Sequence, residues 1–432
     1  MEFESDAQES RRRPTTITSA AAMQALTMLL LIFAGYLTVQ SSRRPQRGAV
    51  LDDDAAFDGH FPGAWGAPAG ADGADGAAFP AGARVYRAAV VDGGSGKTAV
   101  ARYACELGGY GCAAGTVREL QGGARFRADA AGIVADRRAW SEYMDAIEAA
   151  AGGLAVSAGL TGGARAALAA GDLTQADVDA FFRAVRERFG ATARRPAVTF
   201  LRLLSGGDEA ELEYEAAAYI AAATFGVDAV GVLSGGGASA QLAAGGLGSS
   251  LNLDLFAAQR NAAEIGDAAA LRAWIGACDA AVGALAPALV ARLASADLVL
   301  FVSMHASAGA AAGVGGARPI AARDAVAALD ALVAAAASPG ARWDDRAGAL
   351  PNPYGLDATT LRRSTLFSAA RASRIARVLP GAAAVVFSRA YGDPPLTCDW
   401  ALGMFLAAAE ASDVHPARAA PRFQILERRA RA

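Results

Sequence analysis

The stretch DGGSGKT at residues 92–98 gathers a carboxylate, a glycine-rich bend, two hydroxyls and the only lysine of the chain, Lys97. Glycines let a bend approach an anion closely, and its backbone N–H groups can cradle phosphate oxygens. The segment ends like a P-loop, G-x-x-x-x-G-K-[ST], but the first glycine of that pattern would fall at Val91. The next residues, TAVARYACEL and then GGYG, are β-branched and aromatic and soon reach another turn. They read as a strand, not as the helix that a P-loop requires. The spacing therefore predicts a strand–turn–strand hairpin.

A second segment has the same form. VLSGGGASAQLA at 232–243 aligns without gaps with VVDGGSGKTAVA at 90–101. Self-similarity about a domain apart suggests two lobes of one design. Two such turns facing a cleft would each offer backbone N–H groups to one chain of phosphates. The third segment is SGGDEAELEYE at 205–215, where Glu209 is one of five carboxylates. Its neighbours Asp208, Glu211, Glu213 and Glu215 describe an acidic, solvated helix start, favoured by the helix dipole.

The elements between these segments alternate. Residues 139–151, 174–189 and 208–224 read as helices, with Thr174 a plausible N-cap for the second. Residues 154–160 and 197–207 read as strands running into turns. Strands joined by helices predict an α/β domain.

Composition narrows the class. The chain has 432 residues and a net charge of -3, which leaves no electrostatic footprint for nucleic acid. Residues 20–39 carry no charge, and a helix of that length spans about 30 Å, enough for a bilayer core. We read residues 1–19 as a short tail, 20–39 as a transmembrane signal-anchor and 40–83 as a flexible stalk rich in Gly, Ala, Asp and Pro. Residues 84–225 then form an N-terminal lobe and 226–432 a C-terminal lobe, with 396–412 a helix that could return to the first. Four cysteines allow either two disulfides or buried free thiols, and a Cys105–Cys112 pair could close the region after the first hairpin. Oligomeric state is not readable. His60, His305 and His415 are scattered and receive no role.

Five segments in order resemble the signatures of the apyrase family, the ecto-nucleoside triphosphate diphosphohydrolases and Golgi guanosine diphosphatases. DGGSGKT (92–98) is similar to its D-A-G-S-S-x-T, AVSAGLT (155–161) to A-T-A-G-M-R, and SGGDEA (205–210) to S-G-x-[DE]-E-G. SGGGASAQ (234–241) is similar to D-L-G-G-A-S-x-Q, and DWALG (399–403) to x-W-A-L-G. Exopolyphosphatases share the first, third and fourth regions. The resemblance implies an actin-like α/β fold, two ribonuclease-H-like lobes with a nucleotide cleft between them after an N-terminal transmembrane helix. It implies hydrolysis of nucleoside tri- or diphosphates with Ca²⁺ or Mg²⁺, on the lumenal or extracellular side of a membrane. It assigns Glu209 as base, Asp92 as the metal position, and Gly94, Ser95, Gly96, Lys97 and Thr98 with Ser234, Gly235, Gly236, Gly237, Ala238 and Ser239 as the phosphate contacts. Trp400 is expected in a core.

Departures from the signatures weaken this assignment. Ser234 stands for an aspartate, Thr161 for an arginine, Ala210 for a glycine and Gly96 for a serine. The alternatives are an actin-like nucleotide-binding protein with weak or no turnover, or an exopolyphosphatase-like enzyme. If position 234 is a metal position, Ser234→Asp is expected to raise metal affinity or turnover. Asp228 is a candidate source of the missing charge.

Overall fold

The computed structural model describes residues 79–94, 97–126, 129–190, 200–237, 239–260, 262, 267–337 and 357–413. The expected span at 20–39, and Ser95, Gly96 and Ala238 in the two turns, lie outside the described residues.

The fold is mixed α/β with two large sheets and, among the described residues, a small two-stranded one, Ala390–Tyr391 with Leu396–Thr397. The first contains β1 (Val85–Gly93), β2 (Thr98–Glu106), β3 (Arg118–Phe126), β4 (Ala155–Leu160) and β5 (Leu201–Leu203), in the order β3-β2-β1-β4-β5. The hairpin β1–β2 and the pair β2–β3 are antiparallel, whereas β4 and β5 add in parallel. The second sheet repeats this plan with β6 (Val230–Gly235), β7 (Ala240–Ala244), β8 (Leu247–Leu251), β9 (Leu298–Phe301), β10 (Gly316–Ala321) and β11 (Ala384–Phe387). Its order is β10-β11-β9-β6-β7-β8, with β9 and β11 parallel to β6 and β10 an added antiparallel edge.

The two hairpins agree to the residue. Asp92 pairs with Ala99 and Gly93 with Thr98 in the first; Ser234 pairs with Gln241 and Gly235 with Ala240 in the second. Each turn is closed by the same bond: the Gly94 N–H donates to the Lys97 carbonyl and the Gly236 N–H to the Ser239 carbonyl, both at 3.0 Å.

Alternation along the strands sets what each side chain faces. In β1, Ala89 and Val91 enter the outer core of the first lobe, while Ala88 and Val90 face the other sheet. In β6, Leu233 enters the outer core of the second lobe, while Val230 and Val232 face inward. Asp92 and Ser234 therefore continue the two inner rows. Between the sheets run two helices, α5 (Gly206–Ile220) and α12 (Trp400–Asp413), whose apolar residues join the inner rows in one shared core. Phe405 of α12 packs against Tyr86 and Tyr103 of the first sheet. Trp400 is buried in this layer.

Outside the first sheet lie α1 (Ala130–Ala135), α2 (Trp140–Ala151), α3 (Gly162–Ala170) and α4 (Gln175–Gly190). Outside the second lie α6 (Leu255–Arg260), α7 (Ala268–Gly283), α8 (Pro287–Ala294), α9 (Met304–Ala311), α10 (Ala322–Ala336) and α11 (Ala358–Ala376). Thr174 and Asp177 exchange bonds before α4, as expected of an N-cap. The third expected helix begins at Gly206, two residues early, because Ser205 and Asp208 form a capping box. Among the described residues no single helix is long and apolar enough to cross a membrane. Cys105 and Cys112 form a disulfide, while Cys278 and Cys398 are free and buried.

Gly403, the last residue of DWALG, lies where α12 crosses α5. A Cβ there would fall on the carbonyl oxygen of Leu212. Overpacking of this kind costs about 1–3 kcal/mol. Gly403→Ala is therefore expected to lower the free energy of unfolding by about 2–3 kcal/mol in urea titration. A change below about 0.5 kcal/mol would show that the two helices are not in this contact.

Candidate active site

All the residues assigned from sequence that are described lie near the carboxyl ends of the parallel strands, where open α/β sheets place their ligands. Asp92 ends the inner row of β1, and Ser234 that of β6. Gly236 is exposed and Gly94, Lys97 and Gly237 are half-buried, so the described residues of both turns are open to solvent. The Gly94 and Gly236 amides are used in closing their turns, so neither is a donor for a ligand.

Two further assignments change. Thr98 belongs to the outer row of β2: it is fully buried, with its hydroxyl 3.0 Å from the Tyr143 phenol, and its side chain is not a phosphate contact. Gly235 is also buried. A Cβ on it would overlap His305 and Arg371, so it is a packing position beneath the second turn. Arg371 Nε donates to His305 Nε2 at 3.0 Å, and Arg371 Nη2 donates to the Gly236 carbonyl at 3.2 Å. His305, which the sequence leaves without a role, thus steadies the arginine that holds the turn. Burial and the neighbouring Arg371 keep its imidazole pKa well below the usual value.

Helix α5 carries Glu209 and Glu213 into the space between the hairpins, one helical turn apart on the same face. Glu209 is 6 % exposed. One oxygen forms an ion pair with Arg165 of α3, which also donates to the Leu204 carbonyl. The other accepts from Gln241 Nε2 at 2.9 Å, and the same amide donates to Ser239 Oγ at 2.8 Å. Glu209 is therefore tied to the first lobe through Arg165 and to the second through Gln241. Its pKa is raised by burial, against the lowering effect of Arg165.

Arg165 also answers one departure noted in the sequence. Thr161 stands at the expected arginine but hydrogen-bonds the Gly93 carbonyl at the start of α3. The guanidinium comes from one turn further along, a displacement that linear comparison of motifs does not see. Asp228, the other candidate for a missing charge, is exposed before the start of β6, at the opposite end of the strand from Ser234.

Asp399, just before α12, accepts from the Leu402 N–H at 3.0 Å. It is near Asp92, and burial followed by the repulsion of Asp399 pushes the Asp92 carboxyl up to about 7. Lys97 is pushed down to about 8, first by burial and then by Arg125, while Asp92 opposes the shift. Arg389, after β11, acts on both Lys97 and Asp399, which brings the second lobe alongside the first turn. Gln241 and Asp399 lie within the signature segments without an assigned role. Arg125 and Arg389 carry no sequence signal.

Several solved structures follow a similar chain path. A PPX-GPPA enzyme of Aquifex aeolicus is 10% identical, with 75% of this chain and 100% of that chain covered and a TM-score of 0.49. Nucleoside triphosphate hydrolases from Neospora caninum give 12% identity, 77% and 94% coverage and a TM-score of 0.47. An exopolyphosphatase from Cytophaga hutchinsonii gives 11% identity, 73% and 96% coverage and a TM-score of 0.46. No protein-family profile and no curated protein matches the chain.

The Asp92 shift has a consequence for stability. In the fold Asp92 takes up its proton near pH 7, whereas an unfolded aspartate does so near pH 4. Between those values the folded chain binds more protons, so this group makes stability fall as pH rises, and its penalty is complete above pH 7. Asp92→Asn should be more stable than the wild type at pH 8 and equal to it at pH 4, by thermal unfolding. The reverse order at pH 8 would contradict the burial of this charge.

Proposed function

We propose that this chain hydrolyses phosphoanhydride bonds, with the phosphate chain of its substrate lying between the two turns and Glu209 serving as base. The observation that carries the proposal is the placement of Glu209. A buried carboxylate joins two register-matched glycine turns through Arg165 on one side and Gln241 on the other. The repeated strand order of the two sheets supports reading the halves as ribonuclease-H-like lobes of an actin-like fold.

The chemistry rests on the polar chain Glu209–Gln241–Ser239. A water beside it has a carboxylate to accept its proton, and an amide and a hydroxyl to orient it. Arg165 holds Glu209 in one position and favours its ionised form, while burial raises its basicity. Lys97 and Arg125, with Arg389 from the second lobe, supply positive charge beside the first turn for the phosphoryl oxygens.

The carboxyl oxygens of Asp92, Asp399 and Glu213 are of the type that Ca²⁺ or Mg²⁺ prefers, and one oxygen of Glu213 is buried without a hydrogen-bond partner. Among the described residues no group of three side chains forms a direct cage. This fits a cation that keeps most of its waters and takes one or two carboxylates plus substrate phosphate. Asp92 would hold it, and when bound it neutralises charge on the transferred phosphoryl group.

Nucleotides and inorganic polyphosphate share the phosphate chain that the turns would grip, so the reading covers an apyrase-type and an exopolyphosphatase-type substrate alike. We also propose that residues 20–39 anchor the chain with this domain lumenal or extracellular; the Cys105–Cys112 disulfide supports an oxidising compartment.

Phosphate release from ATP, ADP, GDP, UDP and polyphosphate, with Mg²⁺ or Ca²⁺, tests the reading. Glu209→Gln is expected to lower kcat by about 10²–10⁴-fold, the usual contribution of a general base, with little change in substrate binding. Binding of these compounds without turnover by the wild type would select the non-hydrolytic alternative. Activity undiminished in Glu209→Gln would remove Glu209 as base.

A further inference from the structure

The cleft holds a second carboxylate that does not serve as the base of the proposed hydrolysis. Glu213 lies one turn beyond Glu209 on the same face of α5 and is 4 % exposed. The hydroxyl of Ser234 donates to it, and Ser234 Oγ is also 3.2 Å from Ser303 Oγ. Its other oxygen, Oε2, is buried with no hydrogen-bond partner. Unsatisfied buried carboxylate oxygens are costly, and their occurrence calls for a missing partner such as an ion.

The position of Glu213 matters because of what Ser234 is. The hairpins match residue for residue, so Ser234 is the counterpart of Asp92. The first hairpin carries a carboxylate there and the second carries a neutral hydroxyl. Glu213 projects from the helix between the sheets onto that hydroxyl, with Glu209, Asp399 and Asp92 as its acidic neighbours. The negative charge absent from the strand has a near neighbour on the helix.

We propose that Glu213 supplies the carboxylate that the second hairpin lacks at Ser234, and that Glu213 and Asp92 together hold the divalent cation of the cleft. Ser234 then acts as a positioning residue: it fixes one oxygen of Glu213 and leaves Oε2 for the ion or one of its waters. This rests on the metal-assisted reading of the cleft, and it changes an expectation from sequence. In the wild-type background Ser234→Asp sets a second carboxylate against Glu213, so it should weaken cation binding instead of raising it. The new carboxylate should help only when Glu213 is neutralised.

The test is Mn²⁺ affinity of the purified protein without substrate, read by electron paramagnetic resonance of free Mn²⁺, with folding checked by circular dichroism. Glu213→Gln, which keeps shape and removes charge, is expected to weaken Mn²⁺ binding more than tenfold. The transposed pair Glu213→Gln with Ser234→Asp, which restores the charge count, is expected to return to within about threefold of the wild type. Should the single variant not fold, the pair alone decides, since binding more than tenfold below wild type overturns the proposal. Wild-type affinity in Glu213→Gln overturns it as well, while leaving the hydrolytic reading in place. Absence of Mn²⁺ binding by the wild type, with no phosphate release in any metal, overturns both.

Discussion

Like charges gathered in a buried place repel one another and lose hydration, and this cleft gathers four carboxylates. Asp92 comes from the first sheet, Glu209 and Glu213 from the helix between the sheets, and Asp399 from the turn before the last helix. Asp92, Glu213 and Asp399 have raised pKa values with burial as the leading cause, and so has Glu209. A cluster of this kind lowers stability, and it persists because the shared core beneath it is well packed. Its offsets are specific: Arg165 against Glu209, and Lys97 and Arg125 against Asp92. A cation and a phosphate chain would complete the neutralisation, each answering the charge of the other.

The two hairpins share a backbone but divide the chemistry. At matched positions the first lobe has Asp92, Lys97 and Ala99, and the second has Ser234, Ser239 and Gln241. Charge is thus concentrated on one turn, while neutral donors and acceptors occupy the other. Helix α5 spans the difference. It gives Glu209 to the neutral side, where Gln241 and Ser239 orient it, and Glu213 to the hydroxyl that stands where a charge is expected. The second turn has its own support in Arg371, which is buried with His305 and fixes the Gly236 carbonyl. The first is held by Thr161, whose N–H and hydroxyl both donate to the Gly93 carbonyl.

Both hairpins were legible in the sequence because glycine pairs between apolar runs leave few other conformations. Strand alternation then decided which neighbours of a turn face the cleft, and it sends Thr98 away from it. A motif written as a string does not carry that period, so Thr98 read as a ligand contact. Arg165 and Glu213 were hidden for the opposite reason. Each reaches the site from a helix, at a place set by how that helix packs, and neither stands at the residue that its motif would name. Glu213 in particular is indistinguishable in sequence from Glu211 and Glu215, which share its acidic run; only burial separates them. The start of α5 shifted by two residues because a capping box, not the first carboxylate, begins the helix.

The proposed hydrolysis requires both turns to grip one phosphate chain. Because Lys97 is the only lysine, [¹⁵N]lysine labelling yields a single backbone amide signal, located in the first turn. Titration of labelled protein with tripolyphosphate should shift that signal with a measurable dissociation constant. Ser239→Asp, in the other lobe, keeps an acceptor for Gln241 and adds a charge that repels phosphate. It should raise the constant reported by Lys97 at least tenfold. An unchanged constant in that variant would mean that the second turn does not share the ligand of the first, and the account of the cleft would be wrong.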